Sequence, residues 1–140
     1  MQILSYKLDA FIPFEKDSIE TFLCMCEDVI NNMTVDEKVV FKLKSATHEL
    51  LINSLEHGYN KNAGKVSFYM EKRASSIVLE ISDEGSGLNV PSISFNKQNS
   101  DLSTLRDRGW GLLIIKKLSD DMKITHNSPK GTKVSVSICI

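Results

Sequence analysis

The 140-residue sequence is short of cysteine, and what it has is not arranged for bonding or for metal. Three cysteines include Cys24 and Cys26, which stand two apart inside a predicted helix and therefore point in different directions. The spacing excludes a disulfide framework, and the lack of a second ligand pair excludes a zinc site of the usual kind. We expect all three cysteines to be buried, reduced thiols.

The sequence also lacks an excess of charge and a long apolar run. There are 17 Lys and Arg residues against 18 Asp and Glu residues, so no overall attraction to nucleic acid or to an anionic membrane is expected. No apolar run approaches the roughly 20 residues that a membrane-spanning helix needs. The first residues, MQILSYKLDAF, do not follow the basic-then-apolar order of a secretory signal, so a cytoplasmic location is expected.

Hydrophobic spacing predicts one α+β domain over residues 1–140. A loose edge strand over residues 2–9 is followed by two helices and a hairpin. A long loop over residues 85–109, rich in Gly, Ser, Asn and Asp, then leads to a third helix and two strands. This order predicts a two-layer α/β sandwich, with a mixed, mostly antiparallel sheet and three helices on one of its faces.

Local patterns predict the ends of the helices and the buried side of the strands. Capping boxes at 17–20 and 34–37 predict where the first two helices begin. The second helix is predicted to run to about His57, with Gly58 as its C-terminal stop. Alternation predicts that the strands bury Val66, Phe68, Met70, Ile77, Leu79, Ile81, Val134, Val136, Ile138 and Ile140.

The stretch HELLINSLEHGYN, residues 48–60, places polar residues on a helix that also needs an apolar side. At 100° per residue, Glu49, Asn53 and Glu56 fall within about 60° of one another, beside the side that faces the core. These residues are therefore expected to flank the core. A solvated helix face and a functional site both fit this pattern, although the weak helix propensity of Asn favours a specific role for Asn53.

The stretch SDEGSGL, residues 82–88, has features that suit a flat ligand bearing an amine. Asp83 is predicted to lie at the end of a strand, where its carboxylate can accept a hydrogen bond from such an amine. Gly85 and Gly87 allow the backbone to turn with positive φ and to approach a flat ligand closely. An ordinary turn at the end of a strand is the alternative for this motif taken alone.

The stretch RDRGWGLL, residues 106–113, leads into a helix through a second pair of glycines. Free N–H groups at a helix N-terminus bind phosphate, and glycines remove the side chains in the way. Arg106 and Arg108 add positive charge. The stretch matches neither the P-loop nor the Rossmann pattern. Near the end of the chain, Gly131 and Thr132 open the last strand, where a hydroxyl can reach a phosphate.

The histidines and the single tryptophan are less informative. His48 is expected to point away from the side of Glu49 and Asn53, and His57 to interact with the last carbonyls of its helix. Structural roles are predicted for these two and for His126. Trp110 has two open interpretations, contact with a partner or packing under the neighbouring loop.

Taken together in this order, the four motifs resemble the ATP-binding domain shared by DNA gyrase, the Hsp90 chaperones, histidine kinases and MutL. Within that superfamily, HELLINSLEHGY with RGWGLLIIKKLSDD is most similar to the bacterial anti-sigma factor serine/threonine kinases. The resemblance covers residues 5–140 and implies the Bergerat ATP-binding fold.

The resemblance also implies a role for each motif in binding ATP and Mg²⁺. Glu49 corresponds to the general base, Asn53 to the residue that holds Mg²⁺, and Asp83 to the carboxylate that binds the adenine amino group. Residues 89–108 correspond to a lid, in which the residue that contacts the γ-phosphate stays open. The implied nucleotide-binding residues are Asn53, Asp83, Gly85, Gly87, Leu88, Arg108, Gly109, Gly111, Leu112 and Thr132.

The activity implied by the resemblance is phosphorylation of a serine on a STAS-type anti-sigma antagonist, with control of a sigma factor by partner switching. Similar proteins are often homodimers, and neither nucleic acid nor a membrane is an expected direct partner. Two alternatives stay open: a non-catalytic ATP-binding regulatory module, and a stand-alone ATPase domain of the histidine-kinase type. The presence of both Glu49 and Asn53 argues against the non-catalytic module.

Overall fold

The computed structural model describes residues 3–59, 62–85, 110–126 and 130–140. Its elements follow the order predicted from the sequence. Among the helices within these residues, none has the length and hydrophobicity needed to cross a bilayer. In chain order the elements are β1 (Leu4–Ile12), α1 (Lys16–Met33), α2 (Glu37–Asn53), a π-helical turn (Ser54–Gly58, the π-turn), β2 (Gly64–Lys72), β3 (Ser76–Asp83), α3 (Trp110–Leu118), β4 (Asp121–His126) and β5 (Thr132–Cys139).

The five strands form one sheet in the order β1-β2-β3-β5-β4. All of its strand pairs within the described residues are antiparallel, so the prediction of a mixed sheet was wrong in this respect. A helix that connects two strands usually makes them parallel neighbours. Here α3 connects β3 to β4, but β5 returns between them and is antiparallel to both. Since Ser82 pairs with Lys133, the end of β3 lies beside the start of β5.

One hydrophobic core lies between the sheet and the three helices, as predicted. The strand residues expected to face it are at most 5% exposed, except Ile140, which follows the end of β5 and is 47% exposed. Each fully buried side chain of this kind stabilises the fold by about 1.5–3 kcal/mol. The opposite face of the sheet is polar and includes Ser67, Tyr69, Glu80, Ser82 and Lys133. The helices contribute Phe22, Cys26, Ile30, Leu43, Leu50, Leu51 and Ile115 to the core.

The helix starts differ from the predicted capping boxes. The N-cap of α1 is Glu15, whose side chain makes no cap hydrogen bond within the described chain, while Asp17 lies in the first turn. There its charge is favourable beside the positive end of the helix dipole. The N-cap of α2 is Asp36, whose Oδ1 accepts from two N–H groups of the first turn at 2.9 and 3.3 Å. Thr34 instead accepts from the N–H of Asp36.

The cysteines are free thiols, but the prediction that all of them are buried was wrong. Cys26 is buried, whereas Cys24 and Cys139 are exposed. Cys24 faces solvent because residues two apart on a helix cannot share its buried side. Burial raises the pKa of the Cys26 thiol to about 12, with the charge of Glu27 adding to the effect, so this thiol stays protonated at neutral pH.

Candidate functional site

The helix that carries Glu49 and Asn53 changes geometry at Asn53. Beyond this residue the chain continues as the π-turn, in which the carbonyl of Ser54 accepts the N–H of Tyr59 at 3.0 Å. Helical structure ends at Gly58, where the sequence predicts a stop. Such turns are rare and occur often at functional sites. This one also contacts β3, so it lies between α2 and the strand that ends in Asp83.

Asn53 is buried more deeply than its predicted position beside the core implies, with 7% of the residue exposed. Within the described residues, its Nδ2 is the one buried side-chain nitrogen or oxygen that has no hydrogen-bond partner. Leaving a buried amide group unpaired costs about 1–3 kcal/mol. Such a cost is typical of a group that is kept for a ligand.

The Asn53 amide fits Mg²⁺ and a phosphate together. Its oxygen is the type of ligand that Mg²⁺ takes, and Mg²⁺ bound to a nucleotide needs only one or two protein groups beside water and phosphate oxygens. Its Nδ2 is a donor that suits a phosphate oxygen. Both halves of the amide would then have a partner.

Glu49 precedes Asn53 by about one helical turn, and its side chain is 13% exposed. Nδ1 of the neighbouring His48 lies 3.9 Å from Oε1 of Glu49. Consecutive residues on a helix diverge by 100°, so the backbone does not hold these two side chains together. At this distance, and with the His48 side chain 47% exposed, the attraction is weak. Glu49 is therefore shielded from bulk solvent yet still reaches the surface.

Asp83 lies at the end of β3 and is 4% exposed. Its Oδ1 accepts the N–H of Gly85 at 3.0 Å and the N–H of Thr132 at 3.3 Å. The register of β3 on β5 brings Thr132, itself buried, to this carboxylate. Two backbone donors fix the orientation of the side chain. A carboxylate can accept more than two hydrogen bonds, so Asp83 can also bind a ligand amine.

Gly131 packs its backbone against the turn that follows β3. Its φ is +112°, a conformation that side chains other than hydrogen rarely allow. A Cβ at this position would lie 2.0 Å from the carbonyl oxygen of Asp83 and 2.9 Å from Cα of Glu84. Both the conformation and the close approach therefore require glycine, and the sequence motif of Gly131 with Thr132 has a structural cause.

Replacing Gly131 with alanine is expected to lower the free energy of unfolding by at least about 1–3 kcal/mol, the cost of a strained backbone conformation. The clash with Asp83 adds to this cost. Urea unfolding measures the difference, with Lys130→Ala as a neighbouring control that should change stability by less than about 0.5 kcal/mol. Equal stability of Gly131→Ala and the wild type would contradict the close approach of the two backbones.

Tyr59 links the π-turn to the end of β3, although sequence reasoning did not include it among the site residues. Its hydroxyl donates to the carbonyl of Lys65 at 2.5 Å and accepts the N–H of Glu84 at 2.7 Å. Its ring covers Gly64, where a Cβ would lie 2.3 Å from ring carbons. The signal in the sequence is an aromatic residue directly after the helix stop at Gly58.

The structure thus brings Asp83, Gly85 and Thr132 together and places Tyr59 between them and the helix of Asn53. Trp110, Gly111 and Leu112 form the first turn of α3, and their side chains are outside the description. The interpretations of Trp110 therefore stay open. The other predicted site residues and the predicted lid lie outside the described residues; these are Gly87, Leu88, Arg108, Gly109 and residues 89–108.

Comparison with known proteins places this geometry in a family. The chain matches the model of the histidine kinase-like ATPase domain over residues 12–138. Serine-protein kinase RsbW from Oceanobacillus iheyensis is 25% identical over 131 residues, which cover 90% of this chain and 82% of the relative. Anti-sigma F factor from Clostridium kluyveri is 21% identical over 121 residues, which cover 86% of this chain and 80% of the relative.

Two solved structures share the fold. The crystal structure of the RsbU and RsbW domains of Rv1364c from Mycobacterium tuberculosis superposes with a TM-score of 0.63 at 16% identity, covering 95% of this chain and 31% of that chain. The histidine kinase domain of Erythrobacter litoralis EL346 gives a TM-score of 0.56 at 19% identity, covering 86% and 60%. Because the family model matches residues 12–138, nearly all of the chain, the chain belongs to the histidine kinase-like ATPase domain family.

Proposed function

We propose that the protein is an ATP-dependent serine/threonine kinase, which phosphorylates a STAS-type anti-sigma antagonist and regulates a sigma factor by partner switching. The observation that carries the proposal is the buried amide of Asn53, whose Nδ2 has no hydrogen-bond partner in the described part of the chain, one helical turn from Glu49. An amide that can hold Mg²⁺ and a carboxylate that can take the proton of a hydroxyl suit phosphoryl transfer. Relatives named serine-protein kinase and anti-sigma factor support the same activity.

In the proposed complex, Asp83 binds the adenine end of ATP. Its Oδ1 is held by two backbone N–H groups, so that the carboxylate is oriented before the nucleotide arrives. The exocyclic amine of adenine donates to this carboxylate. Gly85, held by one of these bonds, presents backbone without a side chain to the flat base. A preorganised acceptor of this kind favours binding because the side chain loses little conformational entropy when the ligand binds.

Asn53 holds Mg²⁺ at the phosphate end of the nucleotide. An ion held there would offset negative charge on the phosphate oxygens. The protein's own contribution to phosphoryl transfer is then mainly positioning and charge compensation. Burial of Asn53 on a helix whose apolar side is packed in the core limits the freedom of the amide, so the phosphates are held in one place.

Glu49 acts as the general base. The serine hydroxyl of the antagonist attacks the γ-phosphorus, its proton passes to Glu49, and the bond from the γ-phosphorus to the leaving oxygen of ADP breaks. Because the Glu49 side chain is 13% exposed, it can contact a hydroxyl that a partner protein brings to the surface. A cytoplasmic location and a homodimer are also part of the proposal.

The direct test is incubation of the protein with labelled ATP, Mg²⁺ and a candidate STAS-domain antagonist. We expect label on the antagonist that survives acid, as phosphoserine does. Tight ATP binding without transfer would favour a non-catalytic regulatory module instead. Acid-labile label would point to a histidine acceptor, and failure to bind ATP would overturn the proposal.

A further inference from the structure

The Tyr59 hydroxyl connects the metal-binding and base-binding parts of the proposed nucleotide site. The chain leaves α2 at Asn53, follows the π-turn and reaches Tyr59, whose N–H closes that turn on Ser54 at 3.0 Å. From there the side chain extends to the turn after β3. The position of the hydroxyl therefore depends on the same helix end that presents Asn53.

The hydroxyl binds the middle of the turn that carries the predicted adenine anchor. It accepts the N–H of Glu84 at 2.7 Å, and Glu84 lies between Asp83 and Gly85. The two ends of the same turn are joined by the bond from the N–H of Gly85 to Oδ1 of Asp83 at 3.0 Å. A short segment held at its middle and across its ends has little freedom to reorient the carboxylate.

The opposite side of the hydroxyl is fixed as well. It donates to the carbonyl of Lys65 in β2 at 2.5 Å, and the ring lies against Gly64, where any Cβ would clash with it. The Tyr59 ring is thereby held on the sheet, and the hydroxyl oxygen is oriented to accept the N–H of Glu84. Because β2 pairs with β3, the hydroxyl braces the turn against the sheet itself.

The charge state of Tyr59 suits this double role. Partial burial raises the pKa of the phenol above its ordinary value; the N–H of Glu84 opposes this, and the nearby Asp83 and Glu84 carboxylates add to it. The hydroxyl therefore keeps its proton at neutral pH and can donate to Lys65 while it accepts from Glu84. Phenylalanine would keep the ring and remove both bonds.

We propose that Tyr59 is a positioning residue for base recognition: through the N–H of Glu84 it holds the turn that orients Asp83, and so sets the preference for a purine nucleotide that bears an exocyclic amine. The inference rests on the proposed nucleotide-binding function and adds to it a residue that acts without touching the nucleotide. It predicts that removal of the hydroxyl lowers the nucleotide affinity by an amount that depends on the base. A general destabilisation of the fold would lower the affinity for every nucleotide alike.

The test compares the affinities of ATP and ITP for Tyr59→Phe and wild type by titration calorimetry with Mg²⁺. ITP carries an oxygen where ATP carries the amine, so it has no exocyclic amine to donate to Asp83. We expect Tyr59→Phe to lower the affinity for ATP about 5- to 10-fold, which is the usual effect of losing one well-oriented hydrogen bond. The affinity for ITP should change less than about 2-fold on the same reasoning. An equal loss of affinity for ATP and for ITP would overturn the inference.

A double-mutant cycle and a matched control separate positioning from stability. In the background of Asp83→Asn, Tyr59→Phe should have no further effect on the ATP-to-ITP ratio, because the two residues act as one unit. Tyr69→Phe removes another tyrosine hydroxyl, one that donates to Glu71 at 2.6 Å on the polar face of the sheet. It should leave both affinities unchanged, and a base-dependent loss in Tyr69→Phe would contradict the assignment.

Hydrogen exchange in the wild type covers the case in which Tyr59→Phe does not fold. The Glu84 amide should be protected, and ATP should increase this protection more than ITP does. Rapid exchange of this amide in the ATP complex would overturn the inference. A wild-type protein that binds neither nucleotide would refute the proposed function itself, whereas a Tyr59→Phe protein that keeps the full wild-type preference for ATP would refute only the role of Tyr59.

Discussion

Replacing Glu49 with glutamine is expected to slow phosphoryl transfer to the antagonist by about 10²–10⁴-fold, the usual contribution of a general base. Glutamine keeps the size of the side chain but cannot take the proton of the attacking hydroxyl. The affinity for ATP should change by less than about 3-fold, since Glu49 acts on the acceptor and not on the nucleotide. Single-turnover transfer from labelled ATP and equilibrium ATP titration measure the two quantities separately.

Glu56→Gln is the matched control for this experiment. Glu56 lies in the π-turn that follows α2 and is partly exposed. Because the proposal gives it no part in proton transfer, this variant should transfer phosphate at the wild-type rate. A Glu49→Gln protein that is as fast as the Glu56→Gln protein would show that the base is another group.

Replacing Asn53 with alanine is expected to lower Mg²⁺-dependent turnover by at least about 10³-fold, because a bound divalent ion supplies several kcal/mol of charge stabilisation. The fold should survive. Since Nδ2 of Asn53 has no hydrogen-bond partner among the described residues, its removal breaks no internal bond at that atom. The free energy of unfolding should fall by no more than about 1 kcal/mol, and urea unfolding checks this.

The control for Asn53→Ala is Asn32→Ala, the same substitution at an exposed position of α1. There the side-chain amide donates to the carbonyl of Asp28 at 2.7 Å, away from the site. Its turnover should equal that of the wild type. If Asn53→Ala kept normal Mg²⁺-dependent turnover, or if it lost activity only because it unfolded, the assignment of Asn53 to the metal would be refuted.

The elements that the sequence predicts well are those whose signal is local and repeated. Alternation in β2 predicts that Val66, Phe68 and Met70 are buried, and each is 0% exposed. The same reasoning correctly places α2 and its apolar side. These predictions succeed because a strand or a helix with one buried face repeats apolar residues at a fixed spacing. One atypical residue therefore does not change the predicted element.

The capping boxes fail because several residues near a helix start can each supply an oxygen. In the segment before α2, both Thr34 and Asp36 accept from backbone N–H groups, but only Asp36 is close enough to the first turn to cap it. Thr34 and Glu37 are the residue types of a capping box, but in the folded chain it is Asp36 that accepts from the first turn of α2. Boundaries that depend on a single side chain are therefore less predictable than periodic faces.

The parts of the site that the sequence does not predict depend on contacts between distant segments. Nothing local to Tyr59 indicates that its hydroxyl accepts from Glu84, 25 positions later. The bond from the N–H of Thr132 to Asp83 spans 49 positions and exists because β5 pairs with β3. The burial of Asn53 likewise depends on how α2 packs. Resemblance to a family names Asn53, Asp83 and Thr132 but not Tyr59, and only the register and the packing explain how they are held.

The central claim is that Asn53 and Asp83 bind the two ends of one nucleotide. A crystal structure of the protein with a non-hydrolysable ATP analogue and Mg²⁺ tests it most directly. We expect the ion to be coordinated by the side-chain oxygen of Asn53 and the adenine amine to donate to the carboxylate of Asp83. A nucleotide bound elsewhere, or bound with either of these side chains out of contact, would contradict the account.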